Sequence, residues 1–380
     1  MFTSRRITTM GGDKFRDEFS LAFDGSDEYI DCGEKFELNA FSVSAWVKTT
    51  SDASTSQIIF GNRSESAVGY ICYLNSAQKP TFKNMDVTIT SSEILEINKW
   101  YHLVYTFNGT SDTYGIYING KQNTLTSSTT ATVSGVSPAR IGIEAYNLNY
   151  DWNGNMSEVA VYNADLSASQ VRTLYNGREP YNHKEGVANR HLEGWWRMGD
   201  GTFDQKTTGD HEGGIICDMN NVSLGSDVLG GKGDFSDASY WTLLNNSAGQ
   251  TDRVEISSGV CQFKYDGSTN TNGAIRKTGI LTAGKIYRID MDITANSGTS
   301  VFLDEGNPYI RINPSEGDTG SYTVYWRASV NDLRIYRYDS TGDSYDQTAT
   351  IDNVVIREVT GGNHGNMVNM HPLDFEGDTP

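Results

Sequence analysis

The chain has 380 residues, long enough for two domains with full cores, and carries a formal net charge of −18. That charge argues against a nucleic-acid groove, which needs a basic stripe to displace counterions, and against adhesion to anionic membranes. A high content of glycine (39) and tyrosine (21), with Ser, Thr and Asn dense throughout, favours a turn-rich all-β architecture. No stretch approaches the roughly 20 apolar residues of a spanning helix. The first residues, Met1 to Ile7, lack the apolar core of a secretory signal.

Residues 1–18 read as an arm, locally basic through Arg5, Arg6, Lys14 and Arg16, with Phe2, Ile7, Met10 and Phe15 as apolar anchors. In 41–47, Phe41, Val43, Ala45 and Val47 alternate with Ser42, Ser44 and Trp46, the period of a strand. Tyr101, Leu103, Tyr105 and Phe107 take one face of another strand, and His102 between them reads as a packing residue. Asn119-Gly120 predicts a type I′ hairpin, since both turn positions need φ > 0. Tyr146, Tyr150 and Trp152 fall on a loop before a further strand containing Met156, Val159 and Val161. One short helix then follows. Ser167 and Gln170 form a capping box, Leu166 and Val171 a hydrophobic staple, and Gly177 stands where a left-handed cap belongs.

A lone two-turn helix closing a long β-domain resembles the end of laminin-G-like, concanavalin A-type jelly rolls. Five segments agree in order: LAFDGSDEYIDCG (21–33), FSVSAWVKT (41–49), NKWYHLVYTFNGT (98–110), YGIYINGK (114–121) and RIGIEA (140–145). The segment LEGWWRMGDGT (192–202) and the terminal HGNMVNMHPLDFEGDTP (364–380) resemble the continuation of such domains in bacteriophage virion proteins. Between them GDFSDASYW (233–241) and ATIDNVVIREV (349–359) resemble the bracketing strands of carbohydrate-binding-module jelly rolls. The expected fold class is therefore all-β, with two β-sandwich (jelly-roll) domains and one short helix closing the first. The expected division is an arm over 1–18, a laminin-G-like jelly roll over 19–218 completed by 361–380, a linker over 219–232, a second sandwich over 233–359, and a tail over 360–380.

The resemblance implies a non-enzymatic virion surface protein, a capsid decoration or fibre displaying glycan-binding folds. Its expected partners are copies of itself (a trimer favoured), capsid or tail proteins engaged through the arm, and host surface glycans, with no nucleic acid and no membrane insertion. Its expected location is the virion surface. The alternatives are an extracellular polysaccharide-binding lectin-like protein and a polysaccharide depolymerase. The fold itself hosts lectins, adhesion modules and glycosidases alike.

A retaining glycosidase needs two carboxylates about 5–5.5 Å apart. Asp290-Met-Asp292 has a strand spacing that could supply them, but the Glu-x-Asp-x-(x)-Glu pattern of the related glycosidases is missing. Sugar binding calls for aromatic faces beside amides and carboxylates. The candidates are Tyr240, Trp241, Tyr309, Trp326, Tyr336 and Tyr338 in the second domain and Trp152 in the first. Oxygen-rich loops suit calcium, a hard cation, and the resemblance implies Asp151 and Asn153 as its ligands in the first domain and Asp234 and Asp352 in the second. The same residues also serve as ordinary turn formers. The cysteines, Cys32, Cys72, Cys217 and Cys261, show no C-x-x-C spacing and are expected as unpaired, mostly buried thiols.

Overall fold

The computed structural model describes residues 15–33, 36–51, 54–64, 68–85, 87–128, 136–200, 214–216, 218–220, 222–244, 253–265, 273–296, 300–303, 310–311, 319–338, 347–362, 364–368, 370 and 374–380. The first strands are β1 (Ser20–Asp24), β2 (Tyr29–Asp31), β3 (Ala40–Thr49), β4 (Gln57–Gly61), β5 (Tyr70–Leu74), β6 (Pro80–Asn84) and β7 (Val87–Thr90). They continue with β8 (Tyr101–Asn108), β9 (Thr113–Ile118), β10 (Lys121–Ser127), β11 (Arg140–Ile141) and β12 (Asn153–Tyr162). Helix α1 (Ala168–Tyr175) precedes β13 (Leu192–Trp196) and β14 (Gly214–Ile216). A second set follows: β15 (Ser223–Asp227), β16 (Thr242–Leu244), β17 (Arg253–Ser257), β18 (Val260–Tyr265), β19 (Ala274–Lys277) and β20 (Ile286–Asn296). Its remaining members are β21 (Ser300–Leu303), β22 (Ile310–Arg311), β23 (Gly320–Arg327), β24 (Leu333–Tyr338) and β25 (Gln347–Thr360). The last described strands are β26 (Gly365–Val368) and β27 (Phe375–Glu376).

Two antiparallel sheets form the first sandwich. One runs β10-β9-β8-β3-β12-β1-β27, with β13 also on β12; the other runs β14-β26-β2-β11-β4-β5-β6-β7. The inner faces share one core, which includes Leu21, Phe41, Val43, Leu103, Tyr105, Trp152 and Met156. Strands β15 to β25 make two sheets of their own, β17-β18-β25-β20-β23 with β15 on β25, and β16-β19-β24-β21-β22. They enclose a separate core around Tyr287, Ile289, Trp326, Ile335 and Ile351. The chain then returns to the first sandwich: β26 lies between β14 and β2, and β27 lies beside β1. Met367 and Met370 fill that first core. Strand β15 falls inside 219–232, the stretch read from sequence as a linker. Its Ser223 and Leu224 pair with Thr360 and Val359, and nearby Leu229 is part of the second core.

The local expectations for the hairpin and helix hold, with one shift. Asn119 (φ 50°) and Gly120 (φ 73°) are both left-handed, and Ile118 faces Lys121 across the turn. Ser167 caps α1, accepting from the Gln170 amide at 3.4 Å, while Gln170 Oε1 accepts from the Ser167 amide at 2.9 Å. The left-handed turn begins one residue earlier than expected, at Asn176 (φ 48°), and continues through Gly177 (φ 71°). Ser167→Ala is expected to cost about 0.5–2 kcal/mol, read by chemical denaturation. An unchanged midpoint would show that the cap contributes nothing.

The alternation in β3 sorts its side chains to two faces, and both are covered. Phe41, Val43, Ala45 and Val47 enter the core, and α1 with its flanking chain covers the other side. There Ser42 Oγ donates to Ala164 O at 2.7 Å and accepts from the Leu166 amide at 2.9 Å. Trp46 stacks on Tyr175 with ring centroids 5.8 Å apart. His102 bonds Ser44 at 2.9 Å, and burial pushes its pKa down to about 3, which suits packing rather than proton transfer. Gly154 permits the close approach of β12 to β3: with φ +136°, a Cβ there would sit 2.1 Å from Lys48 O. Cys32, Cys72 and Cys261 are buried free thiols; Cys217 lies outside the described residues.

Candidate functional site

At one end of the first sandwich the chain between β11 and β12 is clamped by its backbone. Trp152 N donates to Gly142 O at 2.8 Å, and Ile58 N to Tyr150 O at 2.9 Å. Glu144 accepts from Arg63 Nη1 at 3.0 Å, and Arg140 Nη1 reaches Ala145 O at 2.7 Å. With the backbone tied inward, the side chains divide. Trp152 is fully buried in the core, whereas Tyr146, Leu148 and Tyr150 stand 44–47% exposed. Half of the six exposed large hydrophobic residues described thus fall within five positions of one loop. Leu148 (φ 54°) and Tyr150 (φ 64°) hold left-handed backbone, a conformation that costs free energy for such residues and marks a shaped loop.

Beside this ridge lies a cavity of 390 Å³ lined by Gly25, Ser51, Thr55, Asn149, Tyr150, Asp151 and Asn153. Gly25 (φ +82°) makes the turn after β1 and leaves room for Asn153, whose Nδ2 would lie 2.6 Å from a Cβ there. Asp151 is half-buried, and its Oδ1 is enclosed without a hydrogen-bond partner. Burial, then the charges of Asp27 and Asp24, raise its pKa. The site thus offers an aromatic face, hydroxyls, an amide and an acceptor in need of a donor, the set that recognises a sugar.

The calcium candidates separate on the same criterion. An unpartnered buried carboxylate oxygen at Asp151 suits a cation or a ligand hydroxyl. Asn153 is already spent: Oδ1 accepts from Thr50 Oγ1 at 2.6 Å and Nδ2 donates to Asp24 O at 3.0 Å. Asp234 Oδ1 accepts from Ser236 N at 3.0 Å and Ser236 Oγ at 2.8 Å, a turn-type role that lowers its pKa. Asp352 Oδ1 accepts from the next amide, of Asn353, at 2.6 Å. Among the described residues no three His, Cys, Asp or Glu side chains gather as a metal cluster.

Burial removes three of the sugar-stacking candidates. Trp152, Trp241 and Trp326 are at most 5% exposed. Trp152 belongs to the first core, and Trp241, packed on Phe235, and Trp326 belong to the second. Tyr309 lies outside the described residues, as does the side chain of Tyr338 on β24. Tyr240 is half-buried at the edge of the second sandwich; Tyr336, 7% exposed, lies on the side of β24 away from the core.

Asp290 and Asp292 share the outer face of β20 but are both engaged. Asp290 Oδ1 accepts from Arg288 Nη2 at 2.7 Å and Thr323 at 2.6 Å, with Arg357 at 3.5 Å from Oδ2. Ser321 and Asn353 bond Asp292 and hold its carboxyl below the usual range, so it is a poor proton donor.

Sequence reasoning missed a buried acid cluster on the other face of β12. A bulge between Ser157 and Ala160 places Glu158 in left-handed backbone (φ 50°) and fully buries it. Glu158 Oε1 accepts from Arg197 Nε at 2.9 Å, and Oε2 from Trp195 Nε1 at 2.5 Å. Asp17 hydrogen-bonds Glu158 and accepts from Ser157 Oγ at 3.1 Å. Asp200 Oδ2 accepts from the Glu18 and Phe19 amides, each at 2.8 Å. Phe15 lies on Trp195 and Arg197, completing the attachment of 15–19.

Residues 24–172 match a family model described as the concanavalin A-like lectin/glucanases superfamily, Laminin_G_3. The matched residues lie within the first sandwich, whose antiparallel sheets form a jelly-roll domain. No curated protein matches the chain. Among solved structures, it is similar to a native heptameric SAP-like pentraxin from Limulus polyphemus (15% identity, 42% of this chain and 82% of that one, TM-score 0.36). It is also similar to the Ruminococcus gnavus IT-sialidase CBM40 bound to α2,3-sialyllactose (15%, 41% and 96%, TM-score 0.37). A third is domain 4 of AbnA, a GH43 extracellular arabinanase from Geobacillus stearothermophilus, in complex with arabinotriose (17%, 41% and 76%, TM-score 0.35).

Proposed function

We propose that this is a non-enzymatic glycan-binding protein of a bacteriophage virion surface. The glycan reading rests on the clamped loop that exposes Tyr146, Leu148 and Tyr150 beside the cavity of Asp151. Rings supply stacking surface, and Asn149, Asp151, Ser51 and Thr55 supply polar partners for hydroxyls. A calcium ion at Asp151 would complete the unpartnered oxygen and give sugar hydroxyls a further ligand. A shallow site of this kind binds weakly, in the millimolar to micromolar range, and gains avidity from many copies.

The virion setting rests on the resemblance of 192–202 and 364–380 to phage proteins. In it the chain is a homo-oligomer, a trimer favoured, attached through its N-terminal arm to capsid or tail proteins, with the sandwiches facing host glycans. Co-purification with particles separates this from a free extracellular lectin. Release of reducing ends would identify a depolymerase.

The test is a glycan array probed with the assembled multimer, with and without calcium. Tyr150→Ala is expected to weaken binding about 2- to 10-fold, the value of one stacking ring. Silence of the multimer, or equal binding by the variant, would overturn the assignment.

A further inference from the structure

The β9–β10 hairpin and the chain leaving α1 border a second cavity, of about 500 Å³, with Glu93, Asn119, Lys121, Asn123, Tyr175 and Arg178 in its wall. It shares no lining residue with the cavity beside Tyr150. The sequence brings these groups together in three steps. Gly120 lets the hairpin lie against the helix end: a Cβ there would sit 2.9 Å from Tyr175 Cβ. A bulge between Gln122 and Thr124 leaves Asn123 as an extra residue on β10. Tyr175, half-buried, is held from behind by Trp46 and His102.

The polar groups of the wall are biased toward donors. Asn119 Oδ1 accepts from the His102 amide at 3.0 Å, and Asn123 Oδ1 from the Ser92 amide at 3.0 Å. Both side-chain amides are thereby oriented, and each keeps its Nδ2 as a donor. Lys121 and Arg178 are exposed, and neither forms an ion pair among the described residues. Three of the last four α1 carbonyls, those of Arg172, Thr173 and Tyr175, are taken by the Asn176 and Arg178 amides rather than turned to a ligand. The backbone adds a further sign. Asn176 and Gly177 suit left-handed φ, but Arg178 follows them at φ 92°, where an arginine costs free energy that a glycine would not. An exposed guanidinium held at that cost points to a use for it.

We propose that this cavity binds a sugar residue bearing a carboxylate. Lys121 and Arg178 meet the carboxylate, the Asn119 and Asn123 Nδ2 groups donate to it or to ring hydroxyls, and Glu93 accepts from a hydroxyl. The Tyr175 ring walls the apolar side of the sugar. The site stands or falls separately from the loop of Tyr150.

The test is calorimetric titration of the full chain with trigalacturonate, its methyl ester, inorganic phosphate and triglutamate, at low and high salt. Trigalacturonate is expected to bind, more weakly at high salt, and the ester, which keeps the sugar and removes the charge, to lose most of the affinity. Lys121→Gln and, independently, Arg178→Gly are each expected to weaken binding, Arg178→Gly by about tenfold. Arg178→Lys keeps part of the affinity, and Tyr150→Ala leaves it unchanged. Equal affinity for the ester, tighter binding of phosphate or triglutamate, unaltered binding by Lys121→Gln or by a folded Arg178→Gly, or loss of binding with Tyr150→Ala would each overturn the proposal.

Discussion

Replacing Arg197 by Met is expected to destabilise the first sandwich by about 3–5 kcal/mol, the usual consequence of leaving a buried charge without its partner. Glu158 is fully buried and has Arg197 Nε at 2.9 Å. The same guanidinium donates to Asp200 O at 2.9 Å and to Arg16 O, so one side chain joins β12, the end of β13 and the N-terminal segment. Its loss would leave Glu158 with Trp195 Nε1 and the Asp17 carboxyl as partners. The protein can relieve part of the penalty by protonating Glu158, so the loss should be smaller at pH 5 than at pH 8. Adding Glu158→Gln, which removes the charge, should recover part of the stability. Urea denaturation of the three proteins at both pH values checks this. A loss below about 1 kcal/mol, typical of an exposed pair, would refute the buried-pair account.

The second large effect is the pH dependence of the attachment of residues 15–19. Burial, then the charges of Glu158 and Asp200, raises Asp17 to about 9; burial raises Glu158 to about 7 despite the opposing Arg197. The ionisable groups facing this pair are Arg197, Asp200 and each other, with Arg16 and Glu18 alongside. With two acids near one guanidinium at low dielectric, a proton is retained between them. For acids whose folded pKa is raised, the folded form holds protons that the unfolded form releases. The attachment is therefore strongest below about pH 4 and weakens as pH rises through about 7 to 9. His102 and His183 act oppositely: burial lowers both to about 3, so their contribution is full above the unfolded value of 6.5 and falls toward acid. Limited proteolysis after Arg16 should accelerate from pH 6 to pH 9.5 beyond the protease's own pH response on an unfolded control. Asp17→Asn, a neutral mimic, should flatten the profile. A flat profile in the parent protein, or an unchanged slope in the variant, would remove the shared proton from the explanation.

What could be read from sequence was what is decided locally. The capping box at Ser167 and the hairpin at Asn119-Gly120 each depend on a few adjacent residues, and both form. Strand alternation also located core positions such as Val43 and Leu103. Which aromatic rings reach solvent was decided elsewhere. On β23, Trp326 belongs to the sandwich core while Tyr325 packs in a separate cluster with Ile286 and Val359. Trp152 turns inward because its amide is tied to Gly142 O, a contact that no spacing reveals. Glu158 was invisible for a related reason. A bulge shifts the two-residue period, and only the paired strands show where it falls. Leu148, on the exposed ridge, had nothing in its neighbours to distinguish it from an ordinary loop residue.

The return of β26 and β27 to the first sandwich also sets an order of events during synthesis. The edges of β1 and β2 that accept them are made first, and β26 follows β14 by about 150 residues, roughly 7–30 s at ribosomal speed. The strands of the second sandwich emerge within that interval and can fold while the first still waits for its partners. Until then the nascent chain displays two unpaired strand edges, open to capture by a neighbouring nascent copy. Late closure therefore makes strand exchange between copies a specific hazard of producing this protein at high concentration, one that slower synthesis or lower temperature would reduce.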